Sequence, residues 1–185
     1  MMTPDEIIAT LQRYIDQYPS DVAAMEAALS DDSTPLAARR PIAGALNYVL
    51  DLLDIFPDHF KGLGVADDAM VLRLGARQAV IAGATHKGAQ RLASEADAVD
   101  VIVGELAGAL DTFVKKLPER EVRGRTVDRI LADSDLLAVF RADLSRQIKA
   151  HKPQQIDTSV GGSASAVAEL RRMAHHALKK EGLLQ

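Results

Sequence analysis

Apolar residues recur along most of this chain in steps of three and four, a spacing that predicts helices rather than strands. The first run opens at Thr3-Pro4-Asp5-Glu6. Thr3 can cap, Pro4 suits the first helical position, and Glu6 completes a capping box. Ile7, Ile8, Leu11, Tyr14, Ile15 and Tyr18 follow at helical spacing, and Pro19 predicts a stop, with Ser20 capping a second helix to Leu29. Asp31-Asp32-Ser33-Thr34-Pro35 reads as a loop and the start of a third helix to Leu53, which Pro41 kinks or delays. Residues 54–66, with Pro57, Gly62 and Gly64, read as an ordered loop.

A fourth helix opens at Asp67-Asp68, whose charges suit a helix N-terminus, and the pattern allows it to pass Gly83 and reach Ala93. Gly75 and Gly83 read as packing glycines. Leu92, Ala96, Val99, Val103, Leu106, Leu110, Phe113 and Leu117 then alternate in steps of four and three. This seam predicts one long core helix ended by Pro118, with Gly104 and Gly108 letting a neighbour approach closely. Helices over 126–132 and 134–150 follow, then a linker over 152–162 with proline, glycine and polar content. Ser163 to Glu181 forms a last amphipathic helix with Gly182 as its C-terminal cap. Its stripe of Val167, Leu170, Met173, Ala174, Ala177 and Leu178 needs a cover, expected to be its own bundle or a second copy rather than an anionic membrane. The expected fold is all-α, a compact bundle of six to eight helices. Its expected organisation is a helical domain over 1–118 containing the seam helix, an extension over 119–152 packed on it, a linker over 153–162 and a C-terminal helix over 163–185.

Composition narrows the chemistry. The 185 residues suit one domain with a tail. There is no cysteine, which removes disulfides, thiolate zinc sites and cysteine nucleophiles. No secretory signal is visible, and the longest apolar attempt, Pro41 to Phe56, is broken by Asn47, Asp51 and Asp54. A cytoplasmic location is the expectation. Aromatic residues make up 4% and tryptophan is absent, so base-stacking platforms, and with them nucleic-acid partners, are not expected. Residues 1–114 carry 8 basic against 17 acidic side chains, whereas 115–152 carry 10 against 6. The preferred reading is two surfaces that attract each other within the fold.

One segment carries a motif: Tyr48-Val49-Leu50-Asp51-Leu52-Leu53-Asp54-Ile55-Phe56-Pro57-Asp58-His59-Phe60-Lys61-Gly62-Leu63-Gly64-Val65-Ala66-Asp67-Asp68. It resembles the signature of the YkvA-like family, a bacterial domain of unknown function, in which a tyrosine precedes a Pro-Ile-Asp-Leu-Ile-Pro-Asp run, a Leu-Gly and a paired Asp-Asp. Tyr48, Asp54, Pro57, Asp58, Leu63, Gly64, Asp67 and Asp68 fall at the matching spacing, and Leu52 and Lys61 stand where the family has prolines. The likeness spans residues 35–80. It implies a compact helical domain, sometimes described as membrane-associated, and no established reaction.

Read physically, the same residues serve the backbone. Asp54 can accept N–H bonds as the chain leaves the third helix, Pro57 fixes φ, and Asp58 can cap the next turn. Gly64 permits a backbone shape that other residues resist, Asp67 or Asp68 caps the fourth helix, and Tyr48 places its ring in the core with its hydroxyl toward a carboxylate. The alternative is a divalent cation, Mg²⁺, Ca²⁺ or Mn²⁺, held by Asp54, Asp58, Asp67 and Asp68 with His59 as an extra ligand or base. The spacing is not that of an EF-hand, and Pro57 keeps Asp54 and Asp58 off one helical face. His175 and His176 are adjacent on a helix and point apart. Gly161-Gly162-Ser163 lacks the Lys-Ser/Thr of a phosphate loop, and Arg120, Arg123, Arg125 and Arg129 are interleaved with Glu119, Glu121 and Asp128. No catalytic set is complete. The expected function is a non-enzymatic interaction or scaffold module without a cofactor, partnered by protein and first by itself, with a membrane surface second. The alternative is a metal-dependent hydrolase built on the acidic loop.

Overall fold

The computed structural model describes residues 2–51, 55 and 63–184. Among these the chain is an all-α bundle without strands, save a lone bridge between Val122 and Arg125. Its helices are α1 (Pro4–Ser30), α2 (Leu36–Tyr48), α3 (Ala66–Ile81), α4 (Lys87–Ser94), α5 (Ala96–Val103), α6 (Ala107–Lys116), α7 (Val127–Ala132), α8 (Ser134–Ala150) and α9 (Gly162–Lys180). Since α4, α5 and α6 abut through Glu95 and a single 3₁₀ turn, Gly104–Leu106, the described helices form seven separate runs, within the expected six to eight. One buried cluster takes in side chains from all of them.

The capping box forms as the sequence predicts, with Thr3 N donating to Glu6 Oε2 at 2.7 Å and Glu6 N to Thr3 Oγ1 at 3.3 Å. Pro19, however, does not end α1. The proline removes one backbone donor, but the apolar stripe runs straight through it: Tyr14, Ile15, Tyr18, Val22, Met25 and Leu29 are all buried. Stopping at Pro19 would carry Val22 and Met25 off the core. Helix α2 contains Pro41 and ends at Tyr48, short of Leu53, in a turn closed by Asp51 N donating to Tyr48 O at 2.8 Å.

Helices α2 and α3 cross closely because Gly75 has no side chain; a Cβ there would stand 2.5 Å from that of Ala45. Gly83, by contrast, is a terminator and not a packing residue. It takes φ +97°, and the Ala84 N–H reaches back to Ala79 O at 2.9 Å. Helix α3 therefore stops at Ile81 instead of running to Ala93.

All eight seam residues from Leu92 to Leu117 are buried, yet the seam is not one helix. Gly104 takes φ +64° and breaks it. The carbonyls freed there are capped from a distance: Arg171 of α9 donates through Nε to Ile102 O at 2.9 Å and through Nη2 to Val101 O at 3.1 Å. Gly108, expected to admit a close neighbour, faces open space.

At the centre lies Arg73 of α3, a fully buried guanidinium. Its Nε donates to Glu95 Oε2 at 2.8 Å, its Nη1 to Ala69 O at 2.9 Å, and its Nη2 lies 2.9 Å from Oδ2 of the equally buried Asp21. The plane stacks 3.4 Å from the ring centroid of Tyr14, whose hydroxyl donates to Glu95 O at 3.1 Å. Arg91 donates to Asp21 Oδ1 at 2.6 Å, and Arg91 and Arg13 each stand 3.6 Å from Glu95 Oε1. The network ties α1 to α3, α4 and the α4–α5 junction.

Helix α9 covers its stripe against this same bundle. Val167, Leu170, Ala174 and Leu178 are buried, with Met173 and Ala177 packed beside them. The segment before it, the expected linker, is free of helix and is fastened to α1 by both ends of one amide: Gln12 Nε2 donates to Gln154 O at 2.8 Å and Gln12 Oε1 accepts from Ile156 N at 2.9 Å. Because Leu170 is completely buried, Leu170→Ala is expected to cost about 2–5 kcal/mol in urea denaturation. Unchanged stability would mean that α9 is not docked on the bundle.

Candidate functional site

The first turn of α3 brings two neighbouring aspartates into the interior, Asp67 1% and Asp68 5% exposed. Neither caps the helix as the sequence reading expects. The cap residue is Val65, which makes no side-chain bond, and the aspartates occupy the second and third helical positions. Their charge still lies at the positive end of the helix dipole. Successive positions on a helix point about 100° apart, and each carboxylate meets a different tyrosine. Tyr48, the last residue of α2, donates its hydroxyl to Asp67 Oδ2 at 2.8 Å, as the sequence reading expects, and accepts from Ile55 N at 2.9 Å. Tyr18 of α1 donates to Asp68 Oδ2 at 3.1 Å.

Aromatic contacts hold both tyrosines. Phe113 of α6 stands edge-on to Tyr48, with ring centroids 5.7 Å apart, and His151 tilts over Tyr18 at 5.2 Å. Burial keeps the His151 imidazole below its ordinary range. Burial, then the charges of Asp67 and Asp68, push the Tyr48 hydroxyl well above the ordinary value of 10.

Of the other residues singled out in the sequence, Leu63 and Gly64 are buried in the turn that enters α3, where Ala66 N donates to Leu63 O at 2.9 Å. Asp54, Pro57, Asp58 and His59 lie outside the described residues. Among the described residues no group of three or more histidine or carboxylate side chains is set to hold a metal ion. His175 and His176 are exposed on α9. The four arginines do not converge on an anion. Arg125 is buried against Asp143 at 2.7 Å, Arg129 donates to Gly124 O at 3.1 Å, Arg123 occupies a tight turn at φ +50°, and Arg120 bridges Asp51 and Glu181 at 3.0 Å each. Sequence reasoning missed Tyr18. Its one signal was a second tyrosine on the buried stripe of α1, one turn beyond Tyr14.

The raised Tyr48 value has a definite sign. A group held protonated more firmly in the folded than in the unfolded state contributes fully below its unfolded value, and that contribution is lost as pH rises through the folded one. Stability is therefore expected to fall above about pH 10. In thermal melts across alkaline pH, Tyr48→Phe should flatten this limb while costing about 1–3 kcal/mol at neutral pH, because Asp67 loses a buried donor. Parallel pH profiles for the two proteins would contradict the assignment. Compared with models of known protein families, with curated proteins and with solved structures, the chain gives no match.

Proposed function

We propose that the protein is a non-enzymatic interaction module, a helical scaffold of the YkvA-like kind, whose first partner is a second copy of itself. The observation that carries this reading is the use made of Asp67 and Asp68. Both carboxylates are buried and accept tyrosine hydroxyls from neighbouring helices, so they join α1, α2 and α3 instead of facing an open cleft. A carboxylate with that role serves shape. The surface adds support. Leu36 is 67% and Ile81 74% exposed, and they belong to the start of α2 and the end of α3, which meet where Pro35 lies against Gly83. Two large apolar side chains at one end of a helix pair suit a protein contact. Among the described residues no helix is long and apolar enough to cross a membrane, and attachment at a membrane surface stays the second choice.

Two measurements test this. Light scattering on the purified chain should report a mass above the monomer that falls when Ile81→Glu and Leu36→Glu are combined; a monomer at all concentrations would remove the self-partner. Calorimetric titration with Mg²⁺, Ca²⁺ and Mn²⁺ should give affinities no tighter than about millimolar. A stoichiometric micromolar site abolished by Asp58→Asn would overturn this reading in favour of the second one, a metal-dependent, hydrolase-like enzyme using Asp54, Asp58, His59, Asp67 and Asp68.

A further inference from the structure

A pocket of about 310 Å³ opens where the end of α6, the following 3₁₀ turn (Leu117–Glu119) and the chain beyond α9 come together. That volume lies at the lower end of small-molecule sites, roughly 300–1,000 Å³. Its floor is apolar, made of Phe113, Leu117 and Leu183, and Phe113 and Leu117 are themselves buried. Its rim is charged, with Lys116 and Arg120 against Glu119 and Glu181.

The rim has one fixed cation. Arg120 Nε pairs with Asp51 Oδ2 at the end of α2, and Arg120 Nη1 with Glu181 Oε1 beyond α9, each at 3.0 Å. The guanidinium also lies 5.8 Å from the centroid of the Phe113 ring. Anchored from two elements, this side chain needs no reordering to receive a ligand. Arg120 Nη2 and the side chains of Lys116 and Glu119 make no hydrogen bond or ion pair among the described residues.

The balance of charge selects the ligand. Arg120 and Glu181 already oppose each other, so the unpaired rim charges are Lys116 and Glu119: a simple anion would be drawn to the first and repelled by the second, and a simple cation the reverse. A molecule carrying one charge of each sign pairs with the rim without leaving either sign opposed, and its apolar group takes the floor. We propose that this pocket binds a small zwitterion with an apolar side group, of the chemical class of a free leucine-like or phenylalanine-like amino acid.

Lys116 and Glu119 are exposed, so Lys116→Met and Glu119→Gln leave the fold in place. Titration of the full chain with L-phenylalanine and L-leucine, followed by calorimetry and amide chemical shifts, should show saturable one-to-one binding. Each substitution should weaken it about tenfold, the loss expected for one charged hydrogen bond. 3-Phenylpropanoate, which lacks the ammonium, and 2-phenylethylamine, which lacks the carboxylate, should each bind about tenfold more weakly than phenylalanine. No saturation at millimolar amino acid, equal affinity in both variants, or an analogue binding as tightly as phenylalanine would each overturn the proposal.

Discussion

A guanidinium with no access to water sits at the crossing of this bundle, and the surrounding helices are placed so as to satisfy it. Removing such a charge from water costs several kcal/mol, which attraction offsets only when its partners are close and its donors are filled. Arg73 meets that condition through a carboxylate from α1, a carboxylate at the α4–α5 junction, a carbonyl of its own helix and the face of Tyr14. The partners come from three stretches of chain, α1 supplying both Asp21 and Tyr14. An apolar core could be packed in several registers of similar energy, whereas a shift of α1 by one turn would separate Asp21 from both Arg73 and Arg91, leaving its buried carboxylate unpaired and Arg73 with Glu95 alone. The requirement also accounts for α1 passing through Pro19, because Asp21 lies just beyond it. Surplus positive charge from Arg91 and Arg13 gathers at the more accessible side, on Glu95 and Asp21.

The same arrangement positions the acidic turn. Arg73 and the pair Asp67-Asp68 share α3, so fixing that helix against α1 sets Tyr18 opposite Asp68, while the close α2–α3 crossing at Gly75 sets Tyr48 opposite Asp67. From Tyr48 the chain of contact continues through Phe113 to the floor of the pocket beneath Arg120. The interior polar groups and the surface pocket thus rest on one set of packed helices.

How much of this could be read from the sequence depended on the distance of the partner. Helical periodicity is local, so the all-α class, the capping box at Thr3 and the burial of every seam residue were legible. So was Tyr48 turning toward a carboxylate. Continuity was not. The break at Gly104 is stabilised by Arg171, 67 positions away, and spacing by threes and fours reads the same whether a helix runs on or restarts. At Pro19 the local signal for a stop was overruled by tertiary burial. Arg73 is a polar residue within an apolar run, and nothing near it in sequence announces Asp21 or Glu95. The pair Tyr18 and Asp68 escaped for the same reason.

The central claim, that Arg73 and Asp21 act as one unit that fixes the register of the helices, is tested most directly by a double-mutant cycle in urea. Arg73→Met and Asp21→Asn should each cost about 3–5 kcal/mol, since either breaks a fully buried ion pair and leaves the remaining charge with one ionic partner fewer. The double variant should cost less than the sum, with a coupling of about 0.5–3 kcal/mol. Strictly additive losses would contradict the account and reduce Arg73 to one more packed side chain.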